Sequence, residues 1–134
     1  CAATNTKLHL VKPLGFDISE KAVKRAGLDY WPYVDIEVHE SLNDFMEKYK
    51  NKRKFLATTK GGHLYTEFEY RDDDMFLFGR ETRGLPRDFI AKNEEMSIRI
   101  PMSKNTRMRS FNLSNSANII LFEALRQLGF PELK

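Results

Sequence analysis

Cysteine is nearly absent from this sequence. Cys1 is the only one, so the chain can form neither an internal disulfide nor a multi-cysteine zinc site. No apolar run approaches the roughly 20 residues that a membrane-spanning helix needs. The common nucleotide fingerprints are missing too. There is no G-x-G-x-x-G and no G-x-x-x-x-G-K-[ST], because Gly61-Gly62 runs straight into His63. Dinucleotide dehydrogenases and P-loop ATPases are thereby set aside. No serine sits in a G-x-S-x-G elbow, which removes support for a hydrolase triad. The three histidines, His9, His39 and His63, share no carboxylate or cysteine at ligand spacing, so each reads as a strand or turn residue and no metal site is expected. Repeats, low-complexity stretches and long linkers are also lacking.

What remains is a globular composition. With 134 residues, 41% hydrophobic and 31% charged, the chain is sized for one domain, 1–134, with a real core. The net charge of +3 permits an anionic partner without demanding one.

Hydrophobic patterning alternates strands with helices. Strands are expected at 8–11, 35–39, 55–59, 75–78 and 97–100, with Gly61-Gly62 breaking the third. The continuous apolar run 75–78 suits a strand buried on both faces. Helices are expected at about 19–26, over 41–49, after Pro86, and over about 114–128. Ser41 and Asp44 resemble a capping box that leads Leu42, Phe45, Met46 and Tyr49 onto one buried face. The last helix is expected to be capped by Ser114 or Asn115 and closed by Gly129. This order predicts an α/β fold: a mostly parallel sheet with helices on both faces.

Ligands bind at the carboxyl ends of parallel strands, and three segments there hold the candidate chemistry. The first is Phe55-Leu-Ala-Thr-Thr-Lys-Gly61. The second is Leu77-Phe-Gly-Arg-Glu-Thr-Arg-Gly-Leu-Pro86, with Arg80, Glu81 and Arg83 between two glycines. The third is Ile98-Arg-Ile-Pro-Met102 followed by Arg109-Ser-Phe-Asn-Leu-Ser-Asn-Ser116. Gly79 and Gly84 could serve only as turn residues, and Asn112, Ser114 and Asn115 only as a helix cap. Yet one helix needs one cap, and residues 110–118 offer six amide or hydroxyl side chains: Ser110, Asn112, Ser114, Asn115, Ser116 and Asn118.

Those segments resemble the motifs of the SPOUT-class RNA 2′-O-methyltransferases, specifically the small bacterial branch that methylates the tRNA wobble nucleotide. Leu8-His-Leu-Val-Lys-Pro-Leu-Gly-Phe16, Arg25-Ala-Gly-Leu-Asp-Tyr-Trp31 and Thr58-Thr-Lys-Gly61 are similar to that branch as well. The resemblance spans essentially the whole chain. It implies a deep trefoil knot near the C-terminus, a homodimer, S-adenosyl-L-methionine as cofactor and tRNA as partner, in the cytoplasm. By position it implies that Ala57, Gly79, Ile100 and Ser110 contact the cofactor. Glu81, Ser110 and Asn112 fall where relatives keep catalytic or nucleotide-positioning residues. The implied reaction is in-line displacement of a sulfonium methyl by a ribose 2′-hydroxyl, which asks mainly for positioning and loss of one proton. The resemblance further implies a first motif, an initial strand and an Asn-x-x-x-Arg-like helix, that would precede Cys1. The natural protein is therefore expected to extend upstream. The alternatives are a knotted, dimeric RNA-binding protein without activity, or a methyltransferase for another RNA position.

Arg80, Arg83, Arg107 and Arg109 are the leading RNA contacts, since the motifs place them around the pocket. The denser run Lys48, Lys50, Lys52, Arg53 and Lys54 reads first as a solvated helix end. Phe111, Tyr30 and Trp31 are candidate stacking residues, and the Arg71–Asp74 turn would repel phosphate.

Overall fold

A computed structural model describes residues 1–13, 27, 31–80, 83–104 and 111–134. The helix expected over 19–26 lies outside these residues. The chain divides into two compact units, Cys1–Asn51 and Lys52–Lys134.

In the first unit, strands β1 (Leu8–Val11) and β2 (Ile36–His39) pair in parallel, Leu8 opposite Ile36 and Val11 opposite His39. Short 3-10 turns occupy Ala2–Thr4 and Trp31–Tyr33. Helix α1 (Leu42–Lys48) starts at Ser41, whose Oγ accepts the Asp44 N–H at 3.0 Å. Half of the anticipated capping box is thus present. Of the four residues expected inside, Phe45 is buried, while Leu42, Met46 and Tyr49 are half-buried. Parallel pairing also overturns the picture of isolated histidines. Opposed and alternate strand positions share a face, so His9, Glu37 and His39 stand together.

The second unit carries a four-stranded, all-parallel sheet in the order β4-β6-β3-β5. Its strands are β3 (Lys54–Ala57), β4 (His63–Leu64), β5 (Met75–Phe78) and β6 (Ser97–Arg99). Helix α2 (Arg87–Lys92) begins after Pro86, and α3 (Leu113–Gln127) closes the unit. β4 was not anticipated: the chain turns at Gly61-Gly62 and adds two residues to the free side of β6. Burial of β5 on both faces does not hold either. Among the described residues only Leu77 of β5 is buried, while Met75, Phe76 and Phe78 are half-buried.

Phe55 and Ile98, on neighbouring strands, are 0% exposed. Ile120 and Ala124, one turn apart on α3, complete their cluster with Tyr70. Gln127, a further turn on, receives the Tyr70 N–H on Oε1 at 2.8 Å and donates from Nε2 to the Phe68 carbonyl at 3.0 Å. The helix so holds both the core and the loop before β5. Its cap is Asn112 rather than Ser114 or Asn115: Asn112 Oδ1 accepts the Asn115 N–H at 2.9 Å and the Ser114 hydroxyl at 2.9 Å. The chain leaves the helix through Gly129 at φ +79°, with the Phe130 N–H returning to the Leu125 carbonyl at 2.8 Å.

Candidate active site at the carboxyl ends of the sheet

β3 is central to three of the candidate residues. Its last residue, Ala57, lies opposite Phe78 of β5 on one side and Ile98 of β6 on the other. Gly79 follows Phe78 directly, and Ile100 comes two residues after Ile98. Ala57, Gly79 and Ile100 therefore reach one edge of one sheet, and all three are half-buried. Ala57 and Ile100 also pack against the core cluster, which fixes the strand ends beneath them.

The loop after β3 is clamped to β6. The Thr58 N–H donates to the Ile98 carbonyl at 3.0 Å, and Arg99 Nη1 reaches the Gly61 carbonyl at 2.9 Å. The buried Ser97 hydroxyl accepts the Gly62 N–H at 2.9 Å and donates to the Glu94 carbonyl at 2.6 Å. A Cβ on Gly61 would meet the Ile98 carbonyl carbon at 2.5 Å, so only glycine permits this approach. Ser97 and Arg99 hold this loop to β6, a tie that the sequence did not single out. Their signal was two polar side chains inside a three-residue strand that Pro101 stops.

After β5 the chain folds back at once. Arg80 and Gly84 form an antiparallel bridge, with the Gly84 N–H on the Arg80 carbonyl at 2.8 Å. Arg83, on this turn, is exposed. Asn112 belongs to the same unit as the cap of α3. Glu81, Arg107, Arg109 and Ser110 lie outside the described residues. A concavity of about 490 Å³ opens beside the first loop, lined by Gly62, His63, Ala91, Lys92, Glu94 and Glu95. None of the expected site residues lines it.

The dense basic run is largely occupied within the chain. In the first unit, Lys48 pairs with Glu37 and Lys50 with Glu47. In the second, Lys52 meets Asp73 at 3.1 Å, and Arg53 grips Asp74 through Nε at 2.9 Å and Nη2 at 2.6 Å. The hydrogen bond to Asp74 is the main cause that raises the Arg53 pKa above its ordinary value. Lys54 is buried, and desolvation lowers its pKa. The acidic turn 71–74 thus neutralises the cations beside it. Among the stacking candidates, Phe111 is exposed and Trp31 half-buried in its 3-10 turn, while Tyr30 lies outside the described residues.

Residues 1–122 match the SpoU rRNA Methylase family. A Bacillus subtilis protein provisionally named tRNA (cytidine(34)-2′-O)-methyltransferase is 49% identical over 100% of this chain and 84% of its own length. The Escherichia coli tRNA (cytidine(34)-2′-O)-methyltransferase is 42% identical over 98% of this chain and 83% of its own. A solved structure concerning 2-OH methylation of C/U34 on tRNA superposes with a TM-score of 0.85 at 40% identity, covering 96% of this chain and 82% of that one. A parallel α/β sheet with its candidate loops at the strand ends is thus the scaffold of an RNA methyltransferase. The chain belongs to the SpoU rRNA Methylase family.

Proposed function

We propose that this protein is an S-adenosyl-L-methionine-dependent enzyme that methylates the ribose 2′-hydroxyl of the wobble nucleotide of tRNA, a cytidine or a modified uridine. The observation that carries this reading is the likeness to tRNA (cytidine(34)-2′-O)-methyltransferases at 49% and 42% identity over essentially the whole chain. The gathering of Ala57, Gly79 and Ile100 at one sheet edge supports it. Small or apolar half-buried residues on rigid strand ends suit an adenosine group held by backbone atoms. Ala57, Gly79, Ile100 and Ser110 hold the cofactor, which when bound supplies a methyl group on a sulfonium sulfur.

The share of the chain itself is positioning. Glu81, Ser110 and Asn112 orient the ribose and assist loss of its hydroxyl proton. Because Asn112 Oδ1 caps α3, any nucleotide contact of this residue falls to its Nδ2. Arg80, Arg83, Arg107 and Arg109 engage phosphates, while the neutralised Lys52 and Arg53 do not. In this reading the C-terminal segment is knotted, and the enzyme works in the cytoplasm as one domain and as a homodimer. Exposure of Phe122, Leu128 and Phe130 supports the homodimer.

The test is to incubate the protein with unmodified tRNA and methyl-labelled cofactor, then to map the label by nucleotide. Label at the wobble ribose is expected. Label at another nucleotide would move the substrate position, and no transfer by a full-length protein would overturn the enzyme assignment.

A further inference from the structure

The first unit holds a cluster that the methyl-transfer reading does not use. His9 Nδ1 lies 3.0 Å from His39 Nε2 and 3.2 Å from Glu37 Oε2, and the last two atoms are 3.4 Å apart. Three potential ligand atoms therefore form a nearly equilateral triangle. We propose that His9, Glu37 and His39 form a binding site for a borderline transition-metal dication of the zinc type.

Proton counting favours a cation at the centre. Each ring nitrogen facing the triangle can carry one proton, and the ionised carboxylate carries none. Three edges then share at most two hydrogens. If both imidazoles donate to Glu37, two N–H groups face each other across 3.0 Å. If one imidazole donates to the other, the accepting ring turns a lone pair toward the carboxylate. No protonation state satisfies all three edges, whereas a dication satisfies them together.

Dimensions agree. Zinc–nitrogen bonds of about 2.0–2.1 Å in a tetrahedral site separate the ligand atoms by roughly 3.3 Å. Two imidazoles and one carboxylate suit zinc better than magnesium or calcium, which take oxygen ligands. Three protein ligands leave the fourth position to water.

The surroundings hold the donors in place. The Tyr49 hydroxyl donates to Glu37 Oε2 and Lys48 Nζ to Oε1, the outer partners that orient a ligating carboxylate. The His9 ring stands edge-on to Phe45 at 5.6 Å and Tyr49 at 5.0 Å, and His39 edge-on to Phe45 at 5.1 Å. Side-chain exposure of 16% at His9 and 19% at Glu37, against 5% at His39, leaves an entry path on one side. Sequence spacing hid this site because its ligands come from two strands 30 residues apart at His9 and His39.

The full chain, stripped with a chelator and dialysed, would be titrated with zinc(II) against a competing chromophoric chelator. One equivalent per chain is expected. His9→Gln and His39→Gln should each weaken binding at least about tenfold, in line with what loss even of an outer partner costs. His63→Gln, outside the cluster, should leave it unchanged. In wild-type protein, zinc should shift the ring-nitrogen NMR signals of His9 and His39 and leave those of His63 in place, a readout that does not depend on the variants folding. Absence of stoichiometric zinc, wild-type affinity in both His9→Gln and His39→Gln, or ring shifts at His63 alone would overturn the site.

Discussion

Gly79 and Gly84 meet backbone to backbone: a Cβ on Gly79 would stand 1.9 Å from the Gly84 carbonyl carbon and 2.1 Å from the Leu85 nitrogen. The bridge between Arg80 and Gly84 brings them together and turns the chain from β5 toward α2. Gly84 has a different need. An added Cβ there meets nothing within 4 Å, but its φ of +69° lies in the left-handed region.

The two glycines should therefore respond unequally to alanine. Gly79→Ala forces the loop apart at the proposed cofactor edge and should cost about 3 kcal/mol or more, as overpacking against backbone does. Gly84→Ala meets only conformational strain, about 1 kcal/mol. Urea unfolding of both variants compares them. A larger loss at Gly84 than at Gly79 would contradict the close contact.

Asn112 has two duties to separate. As the cap of α3 it should contribute about 1 kcal/mol, lost in Asn112→Ala and retained in Asn112→Asp, since aspartate caps as well as asparagine. If Nδ2 positions the nucleotide, Asn112→Asp keeps the melting temperature and loses most turnover. Asn112→Asp with wild-type kcat would leave this residue a structural cap only.

These contrasts show how far the sequence could be read. Strands β1, β2, β3, β5 and β6 were legible because their alternating or continuous apolar runs are bounded by proline, glycine or charge. β4 was not, since His63 and Leu64 become a strand only by pairing with β6. The cap of α3 was misplaced by two residues or more because Asn112, Ser114 and Asn115 are equivalent in propensity, and geometry alone chose among them. Ala57, Gly79 and Ile100 were singled out through their resemblance to a motif order, and parallel register brings them to one end of the sheet. Ser97, Arg99 and the His9–Glu37–His39 cluster escaped because their partners are distant in sequence. The neutral fate of Lys52 and Arg53 escaped for the same reason, as both answer to Asp73 and Asp74.

That neutralisation separates the cations in their effect on tRNA. Each phosphate contact adds about one unit to the slope of log affinity against log salt. Arg83→Ala should therefore lower the slope by about one, and Lys52→Ala should leave it unchanged because Lys52 already faces Asp73 at 3.1 Å. Filter binding at several salt concentrations measures both. An equal drop for the two variants would place the basic run on the RNA after all.

Tyr70 supplies a pH test of the core beneath the site. Its ring is 3% exposed and stands edge-on to Phe55 at 5.0 Å, while its hydroxyl donates to the Tyr65 carbonyl. Burial, with the charges of Glu123 and Asp74 behind it, raises the phenol from 10.0 to about 12. A group with a raised folded pKa lends stability that is complete below its unfolded pKa and disappears as pH rises through the folded one. The unfolded chain ionises Tyr70 near pH 10, so up to about 2 kcal/mol should be lost between roughly pH 10 and 12. Tyr70→Phe lacks this titration. It should be less stable than wild type near neutrality by about 1 kcal/mol, the worth of the lost hydrogen bond. Across the alkaline range the gap should close and then reverse. Urea midpoints taken in steps from neutral to alkaline pH follow it, and a gap that stays constant would mean that the phenol titrates at its ordinary value.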